Sequence, residues 1–193
     1  MSPWRTLILL LAALWCATGA WAANKGPKPL EPALRKALTA AIEDNDSFRN
    51  RFDAQVWLMD MSRRLADDIT DPHERIHFLK VLHYEASRAD LKPEWVLALI
   101  QVESDFRRYA ISAAGARGYM QIMPFWLKEI GHPEDNLFHV ETNLRMGCTI
   151  LRYYLDREHG NLTRALARYN GSTGHTWYPA RVFQALNSEW FAQ

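Results

Sequence analysis

From Pro93 to Glu103 the chain reads Pro-Glu-Trp-Val-Leu-Ala-Leu-Ile-Gln-Val-Glu, a run with almost no polar face. Proline is tolerated in a first helical turn, so the run predicts a helix, and one apolar on nearly every side belongs in the interior of a globule. Whatever such a helix carries at its end is delivered to the interior as well. Here that residue is Glu103. Burial disfavours the charged form of a carboxyl, and the negative end of a helix pushes the same way, so Glu103 is placed to hold a proton near neutral pH. A general acid needs that property. The plainer reading of the same residue is a solvent-facing or ion-paired glutamate.

The rest of the chain is also patterned for helices. Pro32 opens one through Ala41, with Leu34, Leu38 and Ile42 spaced four apart, and a longer one is expected from Phe48 to Ile69, where Phe52, Val56, Met59 and Leu65 recur at helical spacing. Pro72 fits the first turn of a third, which places Ile76, Leu79, Leu82 and Ala86 on one face. Beyond the central run, a short helix is expected from Pro124 to Ile130 and a long one capped by Thr142 and running to Glu158. A further short helix covers 163–170 and ends at Gly171. After a surface turn over Gly171–His175, a last helix runs from Tyr178 to Leu186 with Val182, Phe183 and Leu186 buried. No stretch sustains two-residue alternation, so the expected fold class is all-α.

Residues 1–22 read differently. Arg5 precedes the apolar run containing LILLLAALW, and Ala20-Trp21-Ala22 supplies small residues at cleavage spacing, the pattern of a secretory signal peptide followed by a tail over residues 23–31. A short uncleaved anchor is the plainer alternative, and lipidation at Cys16 is disfavoured by the bulky Trp15 before it. Beyond that segment only Cys148 remains. An exported chain with one thiol has no internal disulfide and depends on its hydrophobic core; Cys148, in register with Leu144, Leu151 and Leu155, reads as part of that core. Lys and Arg number 23 against 22 Asp and Glu, which leaves no bulk field to make nucleic acid a partner.

From Phe106 to Pro124 small residues dominate, with Gly115 and Gly118 marking a tight loop and Tyr119, Met120, Gln121 and Met123 offering one amide and three large contact surfaces. This is a candidate ligand wall or simply a structural turn; it is not a phosphate loop, because the lysine of that motif is missing. Glu103-Ser104 with Phe106, then Ala110, Ser112, Gly115-Ala116 and Gly118-Tyr119-Met120-Gln121-Ile122-Met123-Pro124, then Ala165 to Gly171 with Tyr169-Asn170, resembles the catalytic domain of the soluble-type lytic transglycosylases, relatives of goose-type lysozyme. Gln121 lies eighteen positions past Glu103, and the pieces occur in the family's order. The resemblance spans Leu91 to Leu186. It implies a lysozyme-like helical domain over 91–193, with residues 32–90 as an N-terminal helical extension packed on it.

The resemblance further implies cleavage of the β-1,4 bond between N-acetylmuramic acid and N-acetylglucosamine in peptidoglycan, with a 1,6-anhydromuramoyl end as product and no cofactor. Glu103 matches the single acid and base of the family. Tyr169 is expected near it, orienting the acid or stabilising charge. Gln121, Met123, Ser112, Tyr119 and Asn170 match positions along the sugar subsites, and Ser104, Gly115 and Gly118 match residues that hold the segment in shape. Glycan strands are the implied partner, with a cell-wall or secretion machinery as a further one, for a monomer in the periplasm. Two residues depart from the family pattern: Tyr119 stands where leucine is usual, and Arg168 where a small residue is common.

Rival readings attach to particular residues. A lysozyme-like hydrolase needs a second carboxylate, for which Asp105, Asp135 and Glu141 are available. A peptidoglycan-binding protein without turnover would be expected to lack the acid. His73-Glu74-Arg75-Ile76-His77 is a literal His-Glu-x-x-His match, with His83 six positions beyond. Lys80 stands where a metzincin has its glycine, and an unbroken helix turns His83 roughly 240° away from His77, so no metal site is expected. Trp126 and Trp177 flank the inferred groove as candidate sugar contacts, whereas Trp57 and Trp95 read as core.

Overall fold

A computed structural model describes Pro32, Ser47, Phe48 and residues 50–191. The expected signal peptide, the expected tail and all but the first residue of the expected Pro32–Ala41 helix lie outside the described residues. Seven α-helices follow: α1 (Arg51–Arg64), α2 (Pro72–Arg88), α3 (Pro93–Ser104), α4 (Trp126–Ile130), α5 (Val140–Arg157), α6 (Leu162–Asn170) and α7 (Trp177–Ala185), which runs into a π-helical turn, Leu186–Trp190. Among the described residues there is no sheet, only isolated bridges joining Arg117 to Ile111 and Ile122, and no helix is long and apolar enough to cross a membrane. The protein is all-α.

Local chemistry sets several boundaries. The Asn50 side chain accepts from the Phe52 and Asp53 amides to start α1, Asp71 accepts from Glu74 N–H at 2.7 Å to start α2, and Asn161 accepts from Arg164 N–H at 3.1 Å to start α6. Gly171, at φ 79°, closes α6 in the left-handed conformation. Thr142 does not cap α5. The helix begins at Val140 with His139 as an uncapped N-terminus, and the Thr142 hydroxyl donates to Asp135 instead.

Helix α3 is the core element that its composition predicts: Val96, Leu97, Ala98, Leu99 and Ile100 are all fully buried. Helices α2 and α7 and the π turn pack against it, α5 lies against α2 and α6, and α6 bridges to α7. Ile76, Leu79, Leu82 and Ala86 of α2 and Leu144, Cys148, Leu151 and Leu155 of α5 face this core. Helix α1 is shorter than its periodicity predicts, and a different face is inward. Phe52 and Val56 are exposed, Met59 is half-buried, and Ala54, Leu58, Met61 and Leu65 make the packed stripe. The buried Arg75 joins α1 to α2 by donating to Ser62 Oγ at 3.0 Å and to the Ile69 carbonyl at 2.5 Å. In the last helix, Tyr178 and Val182 are buried while Phe183 and Leu186 are only half-buried.

Candidate active site

Glu103 occupies the penultimate position of α3. Burial raises its carboxyl pKa from 4.5 to about 7, against the opposing pull of a hydrogen bond from Tyr178 and the charge of Arg181. The Tyr178 hydroxyl donates to Glu103 Oε1. Tyr178 is 2% exposed at the start of α7, and Arg181 lies one turn further along. Burial, reinforced by the Glu103 charge, holds the Tyr178 phenol well above its ordinary value, so it stays a donor at every physiological pH. A protonated carboxyl near neutrality, held by a permanent donor, can give a proton to a ligand atom and take one back.

The chain turns sharply beyond the acid. Asp105 and Phe106 both adopt left-handed backbone angles, φ 52° and 53°, a costly choice for a bulky residue. Phe106 offsets that cost by burial, its ring packing 6.1 Å from Phe78 and 5.4 Å from Trp190. Trp190 in turn donates its indole N–H to Gln101 Oε1 at 2.7 Å, tying the π turn to α3. Ser104, also buried, donates to the Tyr119 carbonyl at 2.7 Å and so fastens the end of α3 to the loop.

That loop, residues 106–124, is clamped by one side chain of α5. Asn143 accepts from Met120 N–H at 2.7 Å and donates to the carbonyls of Leu137 at 2.7 Å and Arg117 at 3.0 Å. The approach is so close that a Cβ on Gly118, at φ 75°, would lie 2.3 Å from Asn143 Nδ2. A Cβ on Gly147 would lie 2.2 Å from Met120 Sδ. Gln121, left-handed at φ 49°, donates Nε2 to the carbonyls of Gly118 at 2.9 Å and Ala110 at 3.2 Å, which leaves its Oε1 as an acceptor. Ser112 is exposed, and its Oγ accepts from Ala116 N–H at 3.1 Å.

Two expected contacts lie elsewhere. The Tyr169 hydroxyl donates to the Met120 carbonyl at 2.8 Å; the ring is close enough for its phenol to feel the Glu103 charge, but the direct partner of the acid is Tyr178. Tyr119, expected on the ligand wall, is only 2% exposed and packs 4.8 Å from Phe78 of α2. Its larger ring fills core rather than a subsite. Met123 is half-buried and Asn170 exposed. Trp177 is exposed and meets Tyr178 edge-on at 5.9 Å, and half-buried Trp126 lies 5.1 Å from the exposed ring of Phe125. Sequence reasoning missed the roles of Tyr178, Asn143 and Gly147. Asn143 left one signal, a polar residue one position before Leu144 on the inward face of a long helix.

The other candidate carboxylates are committed elsewhere. Asp135 takes a two-pronged contact from Arg145 Nη2 at 2.6 and 2.7 Å, Glu141 receives His77 Nε2 at 2.9 Å, and Asp105 is the exposed residue closing α3. On α2, Glu74 pairs with Arg108 at 3.7 Å. His83 Nδ1 meets Ser47 Oγ at 2.8 Å and its ring stacks on Phe48. Among the described residues no three His, Cys, Asp or Glu side chains are grouped to hold a metal ion.

Residues 80–189 match the family model described as the transglycosylase SLT domain, more than half of the chain, and the protein belongs to that family. A transglycosylase of Enterobacteria phage PRD1 is 32% identical over 109 residues, 53% of this chain and 40% of the phage protein. The membrane-bound lytic murein transglycosylase F of Desulfosudis oleivorans is 28% identical over 167 residues, 81% of this chain and 36% of that protein. A membrane-bound lytic murein transglycosylase C of Yersinia pestis is 28% identical over 150 residues, covering 60% and 42% of the two chains. The match thus spans less than half the length of each relative. Among solved structures, the lytic transglycosylase Slt of Pseudomonas aeruginosa aligns with 22% identity and TM-score 0.45, covering 82% of this chain and 31% of that one. The 70 kDa soluble lytic transglycosylase of Escherichia coli aligns with 22% identity and TM-score 0.44, over 80% and 24%.

Proposed function

We propose that the protein is a peptidoglycan lytic transglycosylase with Glu103 as its only acid and base. The protonated carboxyl gives its proton to the oxygen joining N-acetylmuramic acid to N-acetylglucosamine. The bond from that oxygen to the muramoyl anomeric carbon breaks and frees a 4-hydroxyl on N-acetylglucosamine. The Glu103 carboxylate then takes the proton of the muramoyl 6-hydroxyl as its oxygen closes on the anomeric carbon, which yields a 1,6-anhydromuramoyl end. Gln121 Oε1 suits an acetamido N–H, Met123, Trp126 and Trp177 suit sugar faces, and Ser112 and Asn170 suit the rim.

The observation that carries this reading is the isolation of Glu103. The charged group that perturbs it is Arg181, not a carboxylate, and Asp135 and Glu141 are paired elsewhere. Among the described residues these pairings argue against Asp135 or Glu141 as the second carboxylate that conventional hydrolysis across the bond requires. The reading extends to residues 1–22 as a cleaved export signal, a periplasmic site of action, residues 32–90 as an extension on a catalytic domain over 91–193, and action as a monomer. Mass spectrometry of products from purified peptidoglycan tests it. Anhydromuramoyl ends are expected from the wild type, with a loss of about 10³-fold or more in Glu103→Gln. Reducing muramoyl ends would make it a hydrolase, and binding without products from either protein would leave a wall-binding module.

A further inference from the structure

On the far side of α6 from Tyr169 lies a cavity of about 370 Å³, lined by Glu158, Thr163, Arg164, Ala167, Arg168 and the segment Thr173 to Thr176. Its charge is unbalanced. Glu158, whose side chain is 4% exposed at the end of α5, pairs with both Arg164, at 2.6 Å, and Arg168, each through Nε. Arg164 and Arg168 sit four apart on one face of α6, so one carboxylate sits against two guanidinium groups. The other walls are Ala167, Gly174, His175 and the threonines 163, 173 and 176. A site with a surplus positive charge, mostly small side chains on its other walls and a volume within the small-ligand range fits a short peptide ending in a carboxylate.

We infer that this cavity is a second binding site, distinct from the glycan groove, that takes the carboxylate end of a peptide with small aliphatic side chains. The inference rests on the peptidoglycan reading for its source, the peptides carried by the glycan. The location gives the site a route to the acid: the segment 171–176 joins α6, which carries Tyr169, to α7, which carries Tyr178. A peptide lodged there holds its strand while the glycan lies against Glu103.

Amide chemical-shift titration of the ¹⁵N-labelled protein tests binding without reference to turnover. D-Alanyl-D-alanine is expected to shift the signals of residues 163–168 and 173–176, its C-terminal amide to shift them at least about five-fold more weakly, and inorganic phosphate to shift them less than the dipeptide. Arg164→Gln, at a side chain 69% exposed, is expected to weaken the dipeptide about five-fold, and Arg164→Lys to recover part of the loss. Arg164→Gln is also expected to lower the rate on peptide-bearing glycan relative to peptide-free glycan. Equal response to dipeptide and amide, equal response to phosphate, or no shift at these residues would overturn the inference. Absence of turnover on both glycans with the dipeptide shifts intact would overturn the transglycosylase reading and leave the site standing.

Discussion

The end of α3 and the outer face of α2 both carry residues that spell catalysis, and they meet opposite fates. Glu103 is half-buried at the end of a mostly apolar helix, and partial burial raises its carboxyl to about 7 while Tyr178 holds it in place. His77, in a literal His-Glu-x-x-His match, keeps a side chain 54% exposed and donates across to Glu141, itself 62% exposed, while Glu74 reaches Arg108. The first group is half-buried and has gained one donor. The second has kept its solvent and spent its atoms on surface pairs. Environment, more than the identity or spacing of residues, separates a reactive group from a solvated one.

Several experiments would break or sharpen that comparison. The largest difference is expected in activity, where Glu103→Gln removes turnover and His77→Ala should leave it intact. Next is the frame that buries the acid: Asn143→Ala strips three bonds from buried loop groups and should cost about 2–4 kcal/mol in urea unfolding. A loss below about 1 kcal/mol would mean that the loop is held by other contacts.

The acid itself should be a burden to stability at high pH. Its folded pKa lies above its unfolded value, so the folded state binds more protons between pH 4.5 and 7 and stability falls as pH rises through that window. Glu103→Gln should therefore be more stable than wild type by roughly 3 kcal/mol at pH 8, with the advantage fading towards pH 4. A difference independent of pH would contradict the buried-acid account. Tyr178→Phe should lower the rate about ten-fold. Because the hydroxyl favours the ionised form, its loss should also move the alkaline limb of the activity profile upward, and an unmoved limb would demote Tyr178 to packing. At the small end, His77→Ala should change stability by no more than about 0.5 kcal/mol, and a chelator should leave the rate unaltered.

Much of this arrangement was legible in the chain. The apolar run from Pro93 placed α3 in the centre with Glu103 at its end, and Pro72 and Gly171 marked helix boundaries by local stereochemistry. The inward face of α1 was harder to read, because Phe52 and Val56 repeat at helical spacing yet lie outside while Ala54, Leu58 and Met61 face in. Periodicity reports that a face exists; which face is covered depends on the neighbour, here α2.

The sequence by itself determined that the chain is helical, that one helix must be interior, and that a carboxyl rides at its end, because these follow from side-chain polarity and from bonds made within a few residues. Only the tertiary structure decided that Tyr178 rather than Tyr169 holds Glu103, that Asn143 clamps the Gly118–Gln121 loop, and that Tyr119 turns into the core. Each of these contacts joins residues 23 to 75 positions apart or turns on which neighbour fills a space. No local propensity encodes such a choice; it is made when the helices pack and each buried polar group must find a partner.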